Sequence, residues 1–181
     1  MTPAPVLGSL ETRPALGAPD LLAPPVAAFL RGWVSGGDVA VAAIDPELAD
    51  TAAFVEAYGV APEVSANCVV VAGRRDSEER VAACVVLATT RADVNGTVRR
   101  LLDVRKASFL AMDRACAESG MEYGGITPLG LPTGWRLLVD ARVAAVDQVI
   151  VGSGVRHSKI VLPGQALAAV PGAEVVLDLA R

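Results

Sequence analysis

Between Tyr123 and Pro132 the chain reads Tyr-Gly-Gly-Ile-Thr-Pro-Leu-Gly-Leu-Pro, and this stretch constrains the fold more than any other. Gly124, Gly125 and Gly130 permit positive φ and close backbone approach, whereas Pro128 and Pro132 fix φ and remove amide donors. A regular helix cannot run through the stretch, and its prolines bar it from the middle of a sheet. Two readings remain: a rigid loop whose amides hold a small polar ligand, or an ordinary tight turn.

The segments around it alternate between strand and helix patterns. Residues 1–19 are rich in Pro and Gly and read as an arm laid over the surface or partly disordered. From Asp20, the residues Leu22, Val26, Phe29, Leu30 and Trp33 recur at helical spacing, and Gly36-Gly37 ends the segment. Val39–Ile44 reads as a strand. Asp45-Pro46 opens a helix that carries Leu48, Ala52, Val55 and Tyr58 on one face and stops at Gly59. Residues 67–72 and 81–88 form a hairpin around a charged turn at 73–80. Thr90 and Asp93 have the spacing of a capping box. A strand at 107–110 and a helix capped by Asp113 and stopped by Gly120 come next. Beyond the loop lie strands at 137–139, 149–151 and 159–162, a helix at 163–170 and an edge strand at 175–177. Strands outnumber helices without strict βαβ alternation, which predicts a mixed sheet in place of a doubly wound one.

Composition narrows the function. A length of 181 residues suits one domain with a continuous core. With 52% hydrophobic but only 4% aromatic residues, that core is built from Val, Leu, Ile and Ala. No apolar run reaches the length of a membrane span, and the N-terminus lacks a signal-peptide pattern, so a cytoplasmic protein without membrane contact is expected. The net charge of −4 argues against a general nucleic-acid coat, DNA included, while leaving room for a local basic patch. Cys68, Cys84 and Cys116 are odd in number and widely spaced, and His157 is the sole histidine, so neither a metal nor a cofactor is expected.

Several residue sets carry candidate chemistry. Cys68 lies in an apolar strand with no base near it in sequence, which favours core packing over nucleophilic duty. Ser153, His157 and Asp140 lack the nucleophile elbow of a triad. Gly152-Ser153-Gly154 lacks the third glycine of a dinucleotide fingerprint. Arg99, Arg100, Arg105 and Lys106 form the densest basic cluster; they read either as contacts to nucleic-acid phosphates or as a solvated helix end.

The loop is preceded by Lys106-Ala107-Ser108-Phe109, Met112-Asp113 and Glu118-Ser119-Gly120-Met121. It is followed by Leu137-Leu138-Val139-Asp140 and Val151-Gly152-Ser153-Gly154. This order, from about Val39 to Leu167, resembles the YbaK family and the related insertion domain of bacterial prolyl-tRNA synthetases. The resemblance implies an α/β fold of mixed α+β type, a mixed, partly closed β-sheet decorated by helices. It divides the chain into an N-terminal arm and helix (1–36) and an editing domain (37–181). It also implies a stand-alone aminoacyl-tRNA deacylase that hydrolyses the ester of a mischarged small amino acid, with aminoacyl-tRNA as partner and an aminoacyl-tRNA synthetase as a further one. Water attacks in that scheme, assisted by the substrate's own hydroxyl, while the Gly124–Pro128 loop orients the ester.

On these matches the catalytic set is Asn67, Gly124, Gly125, Thr127 and Pro128. Asp140, Ser153 and Gly154 bind substrate, although Asp140 suits a turn cap equally well. The family usually carries a lysine near the start of the strand matched by Asn67–Val71, and this chain has Asn67 there. Asparagine both donates and accepts but has no charge. A noncatalytic module that binds tRNA, a synthetase or a small metabolite is therefore the alternative reading.

Overall fold

A computed structural model of the chain describes residues 7–181. Its longest feature is a hairpin of β3 (Ala66–Arg75) and β4 (Glu78–Leu87). The charged segment expected as a turn is mostly ladder: Arg74 pairs with Glu79 and Arg75 with Glu78. The ion pairs at these tips are made with other partners, Arg75 with Asp103 at 2.8 Å and Glu79 with Arg114 at 2.7 Å. Only Asp76-Ser77 is left to turn, with Asp76 at φ +55°.

Two sheets build the molecule. One is antiparallel, in the order β1-β2-β8-β7, from β1 (Thr12–Pro14), β2 (Ala40–Ala43), β7 (Val149–Gly152) and β8 (Ser158–Leu162). The other has the order β5-β3-β4-β6-β9, adding β5 (Ala107–Phe109), β6 (Arg136–Asp140) and β9 (Ala173–Val176). It is mixed, because β6 runs parallel to both β4 and β9. A parallel bridge between Ser65 and Ile150 joins the sheets where β3 begins beside β7. The fold is thus the mixed, partly closed sheet system with helical decoration that the sequence implies.

The helices obey local rules with some displaced boundaries. α1 (Pro24–Gly32) starts at two prolines, which lack the donors a first turn leaves unused, and buries Val26, Ala27 and Leu30. Asp45 caps only a 3₁₀ turn, its carboxylate accepting from the Glu47 amide at 2.9 Å; α2 (Thr51–Tyr58) starts after it and ends at Gly59, φ +62°. The Thr90–Asp93 capping box does not form. Asp93 itself accepts from the Thr97 amide at 3.0 Å ahead of α3 (Arg99–Leu102), and the Thr90 hydroxyl donates to the Leu87 carbonyl. α4 (Met112–Ser119) is preceded by Ala111, with Asp113 in its first turn and Gly120 closing it. α5 (Ala141–Ala144) and α6 (Gly164–Ala168) are single turns.

Of the expected arm, residues 1–6 lie outside the described residues. The rest is tied down: β1 pairs with β2, and Ala15 and Ala18 are buried. The largest apolar cluster joins them and α1 to Leu129 of the glycine-proline loop and to Val139, Val151 and Ile160 of both sheets. Leu30, 1% exposed, stands in that cluster. Leu30→Ala is expected to cost about 2–5 kcal/mol, read as a lower urea midpoint with an unchanged slope.

Candidate functional site

Where the two sheets meet, a cavity of about 180 Å³ opens to solvent. Four parts of the chain wall it: the start of β3 (Asn67, Cys68), the turn into α2 (Ala49, Asp50, Thr51), the loop residues Gly124 and Ile126, and the adjoining strands β7 and β8 (Gly152, Lys159). A cavity of about 150 Å³ admits a benzene-sized molecule, so this one suits a small group.

The loop is held by main-chain contacts. Gly124 sits at φ +74°, and a Cβ there would stand 2.6 Å from the Arg156 guanidinium. That guanidinium donates to the Tyr123 carbonyl at 3.2 Å and the Pro46 carbonyl at 3.0 Å, tying the loop to the segment before α2. A Cβ on Gly152 would lie 2.5 Å from the Gly125 carbonyl oxygen, so β7 approaches the loop as closely as glycine allows.

Polar groups converge on the β3 side. The Thr51 hydroxyl donates to Asn67 Oδ1 at 2.6 Å, which turns the Asn67 amide nitrogen away; among the described residues that nitrogen has no partner. Lys159 enters from β8. Strand alternation places Ser158, Ile160 and Leu162 on the face of the main core and Lys159 on the opposite face, over Phe54 with Nζ 5.3 Å from the ring centroid. The lysine is 8% exposed and donates to the Ala49 carbonyl at 2.9 Å. Burial lowers its pKa to about 8; the Asp50 carboxylate opposes that fall and Arg156 adds to it. Burial also raises the Cys68 thiol, which keeps it protonated and unfit as a nucleophile at neutral pH.

The structure gathers some of the residues singled out from the sequence and scatters others. Asn67 and Gly124 share the cavity. Gly125 braces the loop from behind, its carbonyl accepting from the Gly154 amide at 2.7 Å. Thr127 is wholly buried, its hydroxyl unpartnered among the described residues. Pro128 lines a different cavity with Phe29 and Trp135. Asp140 is buried away from the cavity as the cap of α5, and its two oxygens accept from the Arg142 guanidinium and from the Arg142 and Ala180 amides. Ser153 is buried against Ser158, Oγ to Oγ 2.7 Å, and Gly154 packs on Ala23 and Val26. The His157 ring contacts the Asp20 carbonyl, so no triad assembles. Arg105 and Lys106 line a cavity of about 530 Å³ with Arg74 and Phe109; Arg99 and Arg100 line neither this cavity nor the first and bond within their own helical segment.

Sequence reasoning passed over Asp50 and Lys159. A usable signal for the second was present: one of only two lysines sits inside the apolar run Ile160-Val161-Leu162 and its flank, where charge is costly without a purpose.

Residues 45–170 match the family of aminoacyl-tRNA editing domains. Among solved structures, the hypothetical protein APE2540 superposes with a TM-score of 0.74 at 19% identity, over 87% of this chain and 99% of its own. A candidate trans-editing enzyme for prolyl-tRNA synthetase superposes with a TM-score of 0.71 at 20% identity, over 85% and 94% respectively. At such identities the likeness is one of fold.

Because the pKa of Lys159 is lowered on folding, the unfolded chain binds more protons between pH 8 and 10.5, and this group makes stability rise with pH across that window. Lys159→Met should raise stability at pH 7 by on the order of 1–3 kcal/mol and flatten that rise. Urea titrations of both proteins at pH 7 and pH 10 measure it.

Proposed function

The chain belongs to the family of aminoacyl-tRNA editing domains, and from that premise we propose that it hydrolyses the ester linking a mischarged small amino acid to the terminal ribose of tRNA. The observation that carries this reading is the single cavity shared by the glycine loop, the start of β3 and the turn into α2. Cleavage after charging is needed because one methylene in a binding site discriminates by only about 1–3 kcal/mol.

The aminoacyl group enters the 180 Å³ cavity. The backbone at Gly124 and Ile126 orients the ester, and the Asn67 amide, set by Thr51, donates to substrate oxygen. Asp50 lines the same cavity and is exposed, and its carboxylate accepts no hydrogen bond among the described residues; it receives the α-ammonium group, in place of Asp140, to which the resemblance gave substrate binding. Gly125, Thr127 and Pro128 act by holding the loop. Water supplies the nucleophile, activated by the neighbouring ribose hydroxyl, so that no protein nucleophile is required. Arg105 and Lys106 make no ion pair among the described residues and stand free to meet acceptor-end phosphates, with exposed Phe109 beside them to stack a base.

Purified protein incubated with a panel of mischarged tRNAs should deacylate those carrying small residues. Tight tRNA binding without turnover would instead identify a noncatalytic module. Gly124→Ala forces a side chain into positive φ and against Arg156, and should lower turnover at least tenfold while the fold melts only a few degrees earlier. Replacing Arg105 and Lys106 with Ala should flatten the slope of log affinity for tRNA against log salt by about 0.7–0.9 for each phosphate no longer neutralised. Small aminoacyl esters should react unchanged.

A further inference from the structure

We propose that Lys159 and Asn67 form a two-donor anion site in the cavity wall, and that this site holds the ester carbonyl oxygen as it becomes an oxyanion. The inference rests on the hydrolase reading above and adds a catalytic residue to it.

The donor inventory supports it. Lys159 Nζ has three N–H groups and, among the described residues, one hydrogen-bond partner, the Ala49 carbonyl, with an aromatic face beneath. The Asn67 amide nitrogen has two N–H groups and no partner among the described residues, because Thr51 occupies the oxygen side. Both residues line one cavity although they come from different sheets, and Asn67 also borders a second cavity beside Arg91 and Phe109. Four N–H bonds therefore remain free for a ligand in a cavity that opens to solvent. A negative oxygen is the chemical class that satisfies them. The charged groups that bear on Lys159 are Asp50 from the turn into α2 and Arg156 from the turn between β7 and β8. Asp50 favours the ammonium form and Arg156 opposes it. The lysine supplies from β8 the positive charge that asparagine lacks on β3. It comes preplaced: its stem is packed over Phe54, so little reorganisation accompanies the reaction.

In the step itself a water oxygen adds to the carbonyl carbon, and the carbonyl electron pair moves onto the oxygen facing Lys159 and Asn67. The carbon–oxygen bond to ribose then breaks, with the water's proton passing to the ribose oxygen. Free amino acid and tRNA with an intact terminal hydroxyl result. Donors placed for an oxyanion contribute chiefly to kcat, and losing one slows such reactions by about 10²–10³-fold.

The test compares wild type, Lys159→Met, Asn67→Lys and the double variant. Turnover is measured on a panel of tRNAs mischarged with small amino acids. Binding is measured with two adenosine probes, one carrying alanine through a non-hydrolysable amide, the other a tetrahedral phosphonate in place of the ester. Lys159→Met should fold, lose about 10²-fold or more in kcat with KM changed less than threefold, and lose affinity for the phosphonate but not for the amide. Adding Asn67→Lys to it should restore at least a tenth of the lost rate by returning a cation to the cavity from β3. A Lys159→Met protein that turns over within threefold of wild type, or binds both probes as wild type does, overturns the proposal. Absence of turnover by wild type on every tRNA overturns the hydrolase reading; Lys159-dependent phosphonate binding in that case would leave the anion site standing without its reaction.

Discussion

The close approach of two backbones, at the end of β7 and in the glycine-proline loop, is the contact on which the rest of the site depends. Gly152 meets the Gly125 carbonyl with no room for a Cβ, the Gly154 amide donates to that same carbonyl, and the Glu122 amide donates to the Gly154 carbonyl. Main-chain groups are shorter and stiffer than side chains, so a loop held this way keeps its place to within the tolerance a reacting ester demands. Arg156 adds a clamp from the loop to the turn before α2, which brings Asp50 and Thr51 to the opposite wall. The partial closure of the two sheets at Ser65 and Ile150 then sets how far the walls stand apart.

A buried lysine is costly to keep, and the way this one is kept bears on its use. Lys159 occupies a strand position whose neighbours on the same face are apolar, and among the described residues its ammonium is compensated by one carbonyl, one aromatic ring and a nearby carboxylate. Methionine would fill the space at less cost. Sites that carry chemistry often hold groups that weaken the fold, because a preplaced charge in a low-dielectric wall acts more strongly than one in water. Asp140 shows the contrasting case. Burial alone would raise its pKa, but the bonds from Arg142 and Ala180 outweigh that and lower it, so the carboxylate is fully occupied in fastening β6, α5 and the C-terminal segment.

How much of this was legible in the chain varies with the range of the interaction. Positions governed by neighbours were readable: Gly59 and Gly120 end helices in left-handed conformation, the prolines open α1, and β-branched runs form β3, β4 and β8. Errors arose where a distant partner altered a local preference. Charged residues 73–80 have turn-like composition, yet cross-strand pairing keeps Arg74, Arg75, Glu78 and Glu79 in the ladder. Residues 12–18 look like a loose arm until β2 supplies a partner strand and the core takes up Ala15 and Ala18.

The sequence by itself determined that a glycine-proline stretch would break the regular structure of a mixed-sheet fold, that the core would be aliphatic, and that Asn67 would stand at the start of its strand. Each follows from backbone freedom, apolar periodicity or residue chemistry, which act over a few residues. Which groups share the cavity was decided by tertiary structure alone. Asp140 and Ser153 have suitable chemistry but are spent on local bonds, whereas Asp50 and Lys159 face the loop because α2 and β8 fold against β3 and β7. The order in which strands pair is set by contacts far apart in the chain, and no local pattern encodes which side chains those pairings bring together.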